Sequence, residues 1–170
     1  MKRLIAPIVL ALLTSSGSAE QAQPSEAVKA YVRTSAAIIA LTNARVIDGT
    51  GAPAREKQTI LIRDGMIAEV GDSSRVTPPA GAEVIDLTGK SVIPGLVMVH
   101  EHIYYPTGPG VYGQLGESFT RLYLAGGVTT MRTGGNLNGY MDLNLKRAIE
   151  AGEKAGPAID AIPIENGRST

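Results

Sequence analysis

The sequence predicts an α/β fold preceded by a small β domain, and three observations carry that expectation. Residues 37 to 94 are short alternating apolar segments separated by turn residues, with hardly any helical periodicity. Residues 95 to 157 then run strand, helix, strand, helix, which is the rhythm of a parallel sheet with right-handed crossovers. The composition, 44% hydrophobic and 19% charged, is that of an ordinary globular protein with enough apolar material for a core.

The elements follow in order. Lys2 and Arg3 give a positive start, Leu4 to Leu13 is apolar apart from Pro7, and Gly17-Ser18-Ala19 has the small residues of a signal-peptidase site. Residues 1 to 19 therefore read as a signal peptide cut before Glu20, with export to the periplasm or the extracellular space. A transmembrane anchor would need ~20 apolar residues, more than this run supplies. Removing the segment takes away two of the sixteen basic residues and none of the sixteen acidic ones. Residues 20 to 36 are polar and Ala-rich, and read as a mobile lead-in or a short helix.

From Ala37 the texture becomes β-branched and alternating. AIIALTNARVID closes on the turn cluster Asp48-Gly49-Thr50-Gly51. QTILIRDGMIAEVG reads as a hairpin turning at Asp64-Gly65. After the Pro78 to Gly81 loop, AEVIDLTG and SVIPGL give two further short strands, so 37 to 94 is expected to be a small β-sandwich or sheet.

LVMVH, Leu96 to His100, is a continuous apolar run, as expected of a strand buried on both faces of a parallel sheet. A glycine-rich loop, PTGPGVYG, follows. Leu115, Phe119, Leu122 and Tyr123 then fall at helical spacing up to the stop at Gly126-Gly127. VTTMR, Val128 to Arg132, reads as the second strand. DLNLKRAIEAGEKAG reads as a helix with Asp142 near its N-cap, stopping before Gly156-Pro157.

Charge and cysteine content exclude several chemistries. Sixteen basic against sixteen acidic residues, with no run of Lys or Arg, gives no reason to expect nucleic acid as a partner. There is no cysteine, so disulfides and thiolate zinc sites are excluded, and any metal must be held by His, carboxylate or modified side chains. The glycines at 108, 110 and 113 match no phosphate-binding pattern.

The chain has two histidines, His100 and His102, in SVIPGLVMVHEHIYY. In a strand, residues i and i+2 project to one side, so the two imidazoles point together and Glu101 points away. They stand at the C-terminal end of the strand, the end at which parallel barrels build their sites. The spacing admits two readings: ligands of one divalent cation, or polar residues hydrogen-bonded at a strand end. Two histidines alone do not complete a catalytic zinc site, which has three protein ligands and a water. Glu101 fits a structural hydrogen bond or ion pair better than a general base. Tyr104, Tyr105 and Arg132 are candidates for a pocket wall, and the tyrosines fit packing against the loop equally well.

These residues resemble the amidohydrolase superfamily, and its imidazolonepropionase-like and prolidase-like branch in particular. SVIPGLVMVHEHIYY is similar to the family's Pro-Gly turn and first barrel strand ending in H-x-H. TNARVIDGTG and RDGMIAEVG resemble the composite β-sandwich that flanks the barrel, and LAGGVTTMRTGG resembles the second-strand segment. The likeness spans roughly residues 38 to 157.

The resemblance implies a metal-dependent (β/α)8 hydrolase of C–N bonds in small-molecule or short-peptide substrates, amide, cyclic amide or dipeptide-like. His100 and His102 would be first-strand ligands of a divalent metal, most often zinc, with the other ligands and a proton-shuttling Asp on later strands. Two departures stand out. Thr133 lies where an Asp is common, and no histidine follows His102. A barrel takes about 250 residues, and 76 follow Pro94. The expectation is therefore about two βα units of a truncated barrel over residues 95 to 160, an atypical tail over 161 to 170, no catalytic residue within the chain, and weak or no activity alone. The alternative is a non-catalytic binding or assembly piece built of a β-sandwich and a partial barrel.

Overall fold

In the computed structural model, residues 23–135 and 140–161 are described. The expected signal peptide over 1 to 19 and the tail from 162 onward lie outside them. The lead-in contains one helical turn, α1 (Glu26–Lys29), closed by the Lys29–Glu26 pair at 2.7 Å. Among the described residues no helix is long and apolar enough to cross a membrane.

The β region forms one mixed sheet from β1 (Ile38–Val46), β2 (Arg55–Arg63), β3 (Met66–Asp72), β4 (Glu83–Asp86) and β5 (Ser91–Val92). Its order is β3-β2-β1-β4, with β5 pairing the far end of β1. The β2–β3 hairpin turns at Asp64 and Gly65, both at positive φ (48° and 76°). Two positive-φ residues make the tight turn whose twist matches the flanking strands. β1 is irregular between Leu41 and Ala44, where Asn43 adopts φ 58° and donates from Nδ2 to Asp86 Oδ1 at 3.0 Å. Ala44, Val46 and Ile60 form the buried core of the sheet, flanked by Leu41, Ile62, Val70, Leu87 and Val92. Of the two forms expected, sandwich or sheet, the described residues form one sheet. β1 carries the pairing, antiparallel to β2 and parallel to β4 and β5.

The second sheet is parallel throughout. β6 (Leu96–Glu101) pairs with β9 (Val128–Thr133), and β9 pairs with β10 (Ala158–Ala161). The crossovers carry α2 (Ser118–Ala125) and α3 (Met141–Glu150). Ile103, Val128, Met131, Leu145 and Ile159 form the core between sheet and helices, with Met98, Tyr123, Ile149 and Ala161 packed against it.

Four expectations are corrected here. PTGPGVYG is a hairpin rather than a loop: β7 (Tyr104–Gly108) and β8 (Val111–Gln114) pair antiparallel around Gly110 at φ 71°. α3 ends at Glu150, six residues before Gly156, because Gly152 turns the chain at φ 70°. A third parallel strand, β10, follows where two strands were expected. Finally, β6 is not buried on both faces. Among the described residues it is the edge of its sheet, and Val97 and Val99 are 63% and 75% exposed because no described strand or helix covers the side opposite the core.

Candidate metal centre at the end of the first parallel strand

The register places the histidines. Met98 lies beside Met131 and faces the helices, and Glu101 pairs with Thr133 after an irregularity in β6. His100 and His102 come out together, with ring centroids 5.1 Å apart and planes at 85°. The expected juxtaposition of the two imidazoles is therefore present.

Each ring is set by the end of β9. Gly134 donates its amide to the Glu101 carbonyl at 2.7 Å, extending the strand pairing one residue past β9. The His100 ring then lies across Gly134: a Cβ built there would stand 2.5 Å from His100 Nε2. His102 Nδ1 faces the carbonyl of Gly135 at 3.3 Å. A proton on Nδ1 donated to that carbonyl leaves Nε2 with its lone pair, which is how a backbone carbonyl selects the tautomer of a metal-ligating histidine. Gly135 reaches this place at φ 139°, a conformation that favours glycine.

Glu101 projects to the other side, as strand alternation requires. Its Oε1 accepts the His102 amide at 2.9 Å and the Tyr105 hydroxyl. Tyr105 Oη lies 3.2 Å from Tyr123 Oη, and the Tyr105 ring stacks on Phe119 at 4.7 Å. Burial pushes the Glu101 carboxyl up, but the Tyr105 hydroxyl, the His102 amide, the Tyr123 hydroxyl and the His102 charge outweigh it, so its pKa lies below the usual value. Burial first, and then Glu101, raise the Tyr105 phenol, while burial and the Tyr105 hydroxyl raise Tyr123. Glu101 is thus engaged in holding the strand end, consistent with a structural carboxylate.

The two pocket tyrosines separate. Tyr104 stays with the histidines, its ring 5.0 Å from that of His102 and 6.0 Å from Tyr112. Tyr105 belongs to the Glu101 cluster instead. Arg132 is exposed and its guanidinium pairs with Asp160 on β10 at 3.7 Å. Sequence reasoning did not single out Asp142 beyond helix capping, yet it is 2% exposed in the first turn of α3. Its raised pKa comes from burial, opposed by the Thr133 hydroxyl and the charge of His102. The signal available was an Asp followed by a helical apolar pattern, which does not distinguish a buried carboxylate from an exposed cap.

The donor set fits half of a cation site. Two imidazoles converge, and the carbonyl facing His102 Nδ1 leaves Nε2 available as a ligand. Among the described residues, no three His, Asp or Glu side chains converge on one point. A mostly apolar groove of about 490 Å³ lies elsewhere, between the start of α2 and α3, lined by Leu115, Met141, Leu145, Ala148 and Lys154. Neither histidine lines it.

Comparison with known proteins places the chain in a superfamily. No family model matches the chain. It is 34% identical over 119 residues to a dihydroorotase of Pelobacter propionicus, a match covering 68% of this chain and 27% of that protein. It is 32% identical over 109 residues to an imidazolonepropionase of Nocardia farcinica, covering 60% of this chain and 26% of the relative. Among solved structures, one from Bifidobacterium longum carrying a prolidase assignment superposes with a TM-score of 0.57 at 30% identity, over 78% of this chain and 33% of the other. The chain belongs to the amidohydrolase superfamily. It spans a third or less of the length of these relatives.

Proposed function

We propose that His100 and His102 form the first-strand half of a divalent metal site, with zinc the leading ion, in a hydrolase of C–N bonds. The substrate class is amide, cyclic amide or dipeptide-like small molecules, the range that the names dihydroorotase, imidazolonepropionase and hydantoinase cover among the relatives. β6 to β10 are then the opening units of a (β/α)8 barrel, and the histidines lie at the strand end where such barrels place their chemistry. The observation that carries the reading is the convergence of the two rings at 5.1 Å, with His102 Nδ1 tied to the Gly135 carbonyl. The residues 1 to 19 pattern supports export as the route by which the chain reaches its substrate.

A bound divalent cation supplies Lewis acidity toward water and toward the scissile carbonyl. The chain's own residues do the positioning. Gly134 leaves room for the His100 ring, the Gly135 carbonyl orients His102, and the Glu101 carboxylate fixes the backbone between the two ligands. Tyr104 stands beside His102, where it forms a wall for whatever reaches the pair. With two ligands among the described residues, this chain is expected to bind zinc weakly and to turn over slowly by itself.

The test is a zinc titration of the full 170-residue chain beside His100→Ala and His102→Ala. Binding near one ion per chain, lost in both variants, supports the reading; binding unchanged in both removes it. A second reading, a non-catalytic binding or assembly module, is favoured by the uncovered apolar edge at Val97 and Val99. Absence of any zinc binding would leave that reading in place.

A further inference from the structure

The β7–β8 hairpin stands against the histidine pair, and its composition sets what it can hold. Tyr104 to Gln114 contains no Asp, Glu, Lys, Arg or His, yet it carries three of the chain's six tyrosines. The pairing of Tyr104 with Gln114 and of Pro106 with Tyr112 sorts the side chains. Alternate residues, and residues directly opposed across the ladder, share a side of the ribbon. Tyr104, Pro106 and Tyr112 therefore lie on one side, and Tyr105 on the other, where it meets Glu101 and Phe119.

The first side continues the line of the imidazoles. Ring centroids run from His100 to His102 at 5.1 Å, from His102 to Tyr104 at 5.0 Å, and from Tyr104 to Tyr112 at 6.0 Å. The Tyr104 and Tyr112 planes meet at 69°, an edge-on contact of the kind that aromatic pairs favour. Tyr112 ends the row 55% exposed, so much of its ring is open to a ligand. An apolar group laid on such rings gains burial and aromatic contact. A charged group there would lose hydration and find no counter-charge on the hairpin.

We propose that Tyr104 and Tyr112 are specificity residues: the row of rings holds a neutral apolar substituent, a ring or a branched alkyl group, on an amide bound at the histidine pair. The same row disfavours a charged substituent. The proposal rests on the reading of His100 and His102 as cation ligands, and adds to it the chemistry that this end of the site accepts.

The test uses the full-length chain in excess zinc and hydroxamates, which chelate a divalent cation through one end. Acetohydroxamate carries a methyl group, benzohydroxamate a neutral ring, and succinate monohydroxamate a carboxylate. The ratio of benzohydroxamate to acetohydroxamate affinity, compared between wild type and Tyr112→Ala, cancels intrinsic chelation. That ratio should fall by about three- to tenfold in Tyr112→Ala, the usual worth of an aromatic contact, and stay level in Tyr112→Phe. Succinate monohydroxamate should bind wild type more weakly than benzohydroxamate, each taken relative to its affinity for free zinc. A ratio in Tyr112→Ala less than about threefold below wild type overturns the proposal while the half-site stands. An equal fall for every hydroxamate assigns Tyr112 to holding the hairpin and also overturns it, as does a carboxylate bound as tightly as the ring. Zinc binding indifferent to His100→Ala and His102→Ala overturns the half-site and the proposal together. Should Tyr112→Ala not fold, the ring resonances of Tyr104 and Tyr112 in wild type decide: both should move more with benzohydroxamate than with acetohydroxamate, and equal shifts overturn the proposal.

Discussion

Gly134→Ala should separate cation binding from stability. The new Cβ would lie 2.5 Å from His100 Nε2, 2.6 Å from Cε1 and 2.8 Å from Cδ2. Carbon atoms rest at about 3.5–4.0 Å, so the imidazole must retreat by about 1 Å. The backbone gives no reason for strain, since Gly134 is not among the positive-φ glycines. Its amide can still donate to the Glu101 carbonyl, which keeps the strand pairing. His100 is exposed, so its ring can swing into solvent at a cost of about 0.5–1.5 kcal/mol if it leaves its rotamer. Metal–ligand distances, in contrast, tolerate only about 0.2 Å. Zinc affinity should therefore fall at least about tenfold, or about 1.4 kcal/mol, while the melting temperature of the metal-free protein changes little. A competition titration against a chromophoric chelator, run beside thermal melts, measures both. Gly134→Ala binding zinc as tightly as wild type would refute the claim that His100 is used in the position where it lies.

Two further outcomes concern the fold. Met131→Ala removes the fully buried centre of the helix–sheet core and should cost about 2–5 kcal/mol in chemical denaturation; a loss below 1 kcal/mol would mean that the second sheet is not packed as described. Asp48, Asp72 and Asp86 have lowered pKa values, Asp48 and Asp72 chiefly through the hydroxyls of Thr50 and Ser74 and Asp86 through Asn43 and then Thr88. A lowered folded-state pKa contributes stability that is complete above the ordinary value near 3.8 and is lost as pH falls through the folded-state value. The melting temperature should thus decline below about pH 4, and replacing all three by Asn should flatten that decline; an unchanged slope would place the acid sensitivity elsewhere.

What was legible from sequence follows local rules. Asp64-Gly65 announced its hairpin because only a few residue types accept two positive-φ positions in a row. The histidines announced a shared side because strand alternation needs no tertiary information. The misses each depended on something beyond the local pattern. PTGPGVYG looked like a loop because Pro and Gly usually mark one, yet Tyr105, held by Glu101 and stacked on Phe119, anchors the strand that opens the hairpin. LVMVH read as doubly buried because its composition is that of a central strand, whereas its position at the edge is set by which strands pair with it. Asp142 read as a cap because its spacing fits one, and its burial follows from tertiary packing, in which α3 lies against β10.

The last point bears on where a half-site of this kind gets its precision. An edge strand is a poor platform for two ligands, because one side of its backbone has no partner to hold register. Here β9 and the turn after it take over that role. The Gly134 amide pins the Glu101 carbonyl, the Gly134 backbone bounds the His100 ring, and the Gly135 carbonyl faces His102 Nδ1. From the other side, the Glu101 carboxylate grips the His102 amide and is itself held by Tyr105 beside Tyr123. His100 lies on β6 and His102 just past its end, but their placement is supplied by the end of β9, the turn after it and, through Tyr123, α2. Substitutions at Gly134 or Glu101 should therefore disturb cation binding more than substitutions along β6 itself, such as Val97 or Val99, whose side chains are exposed among the described residues.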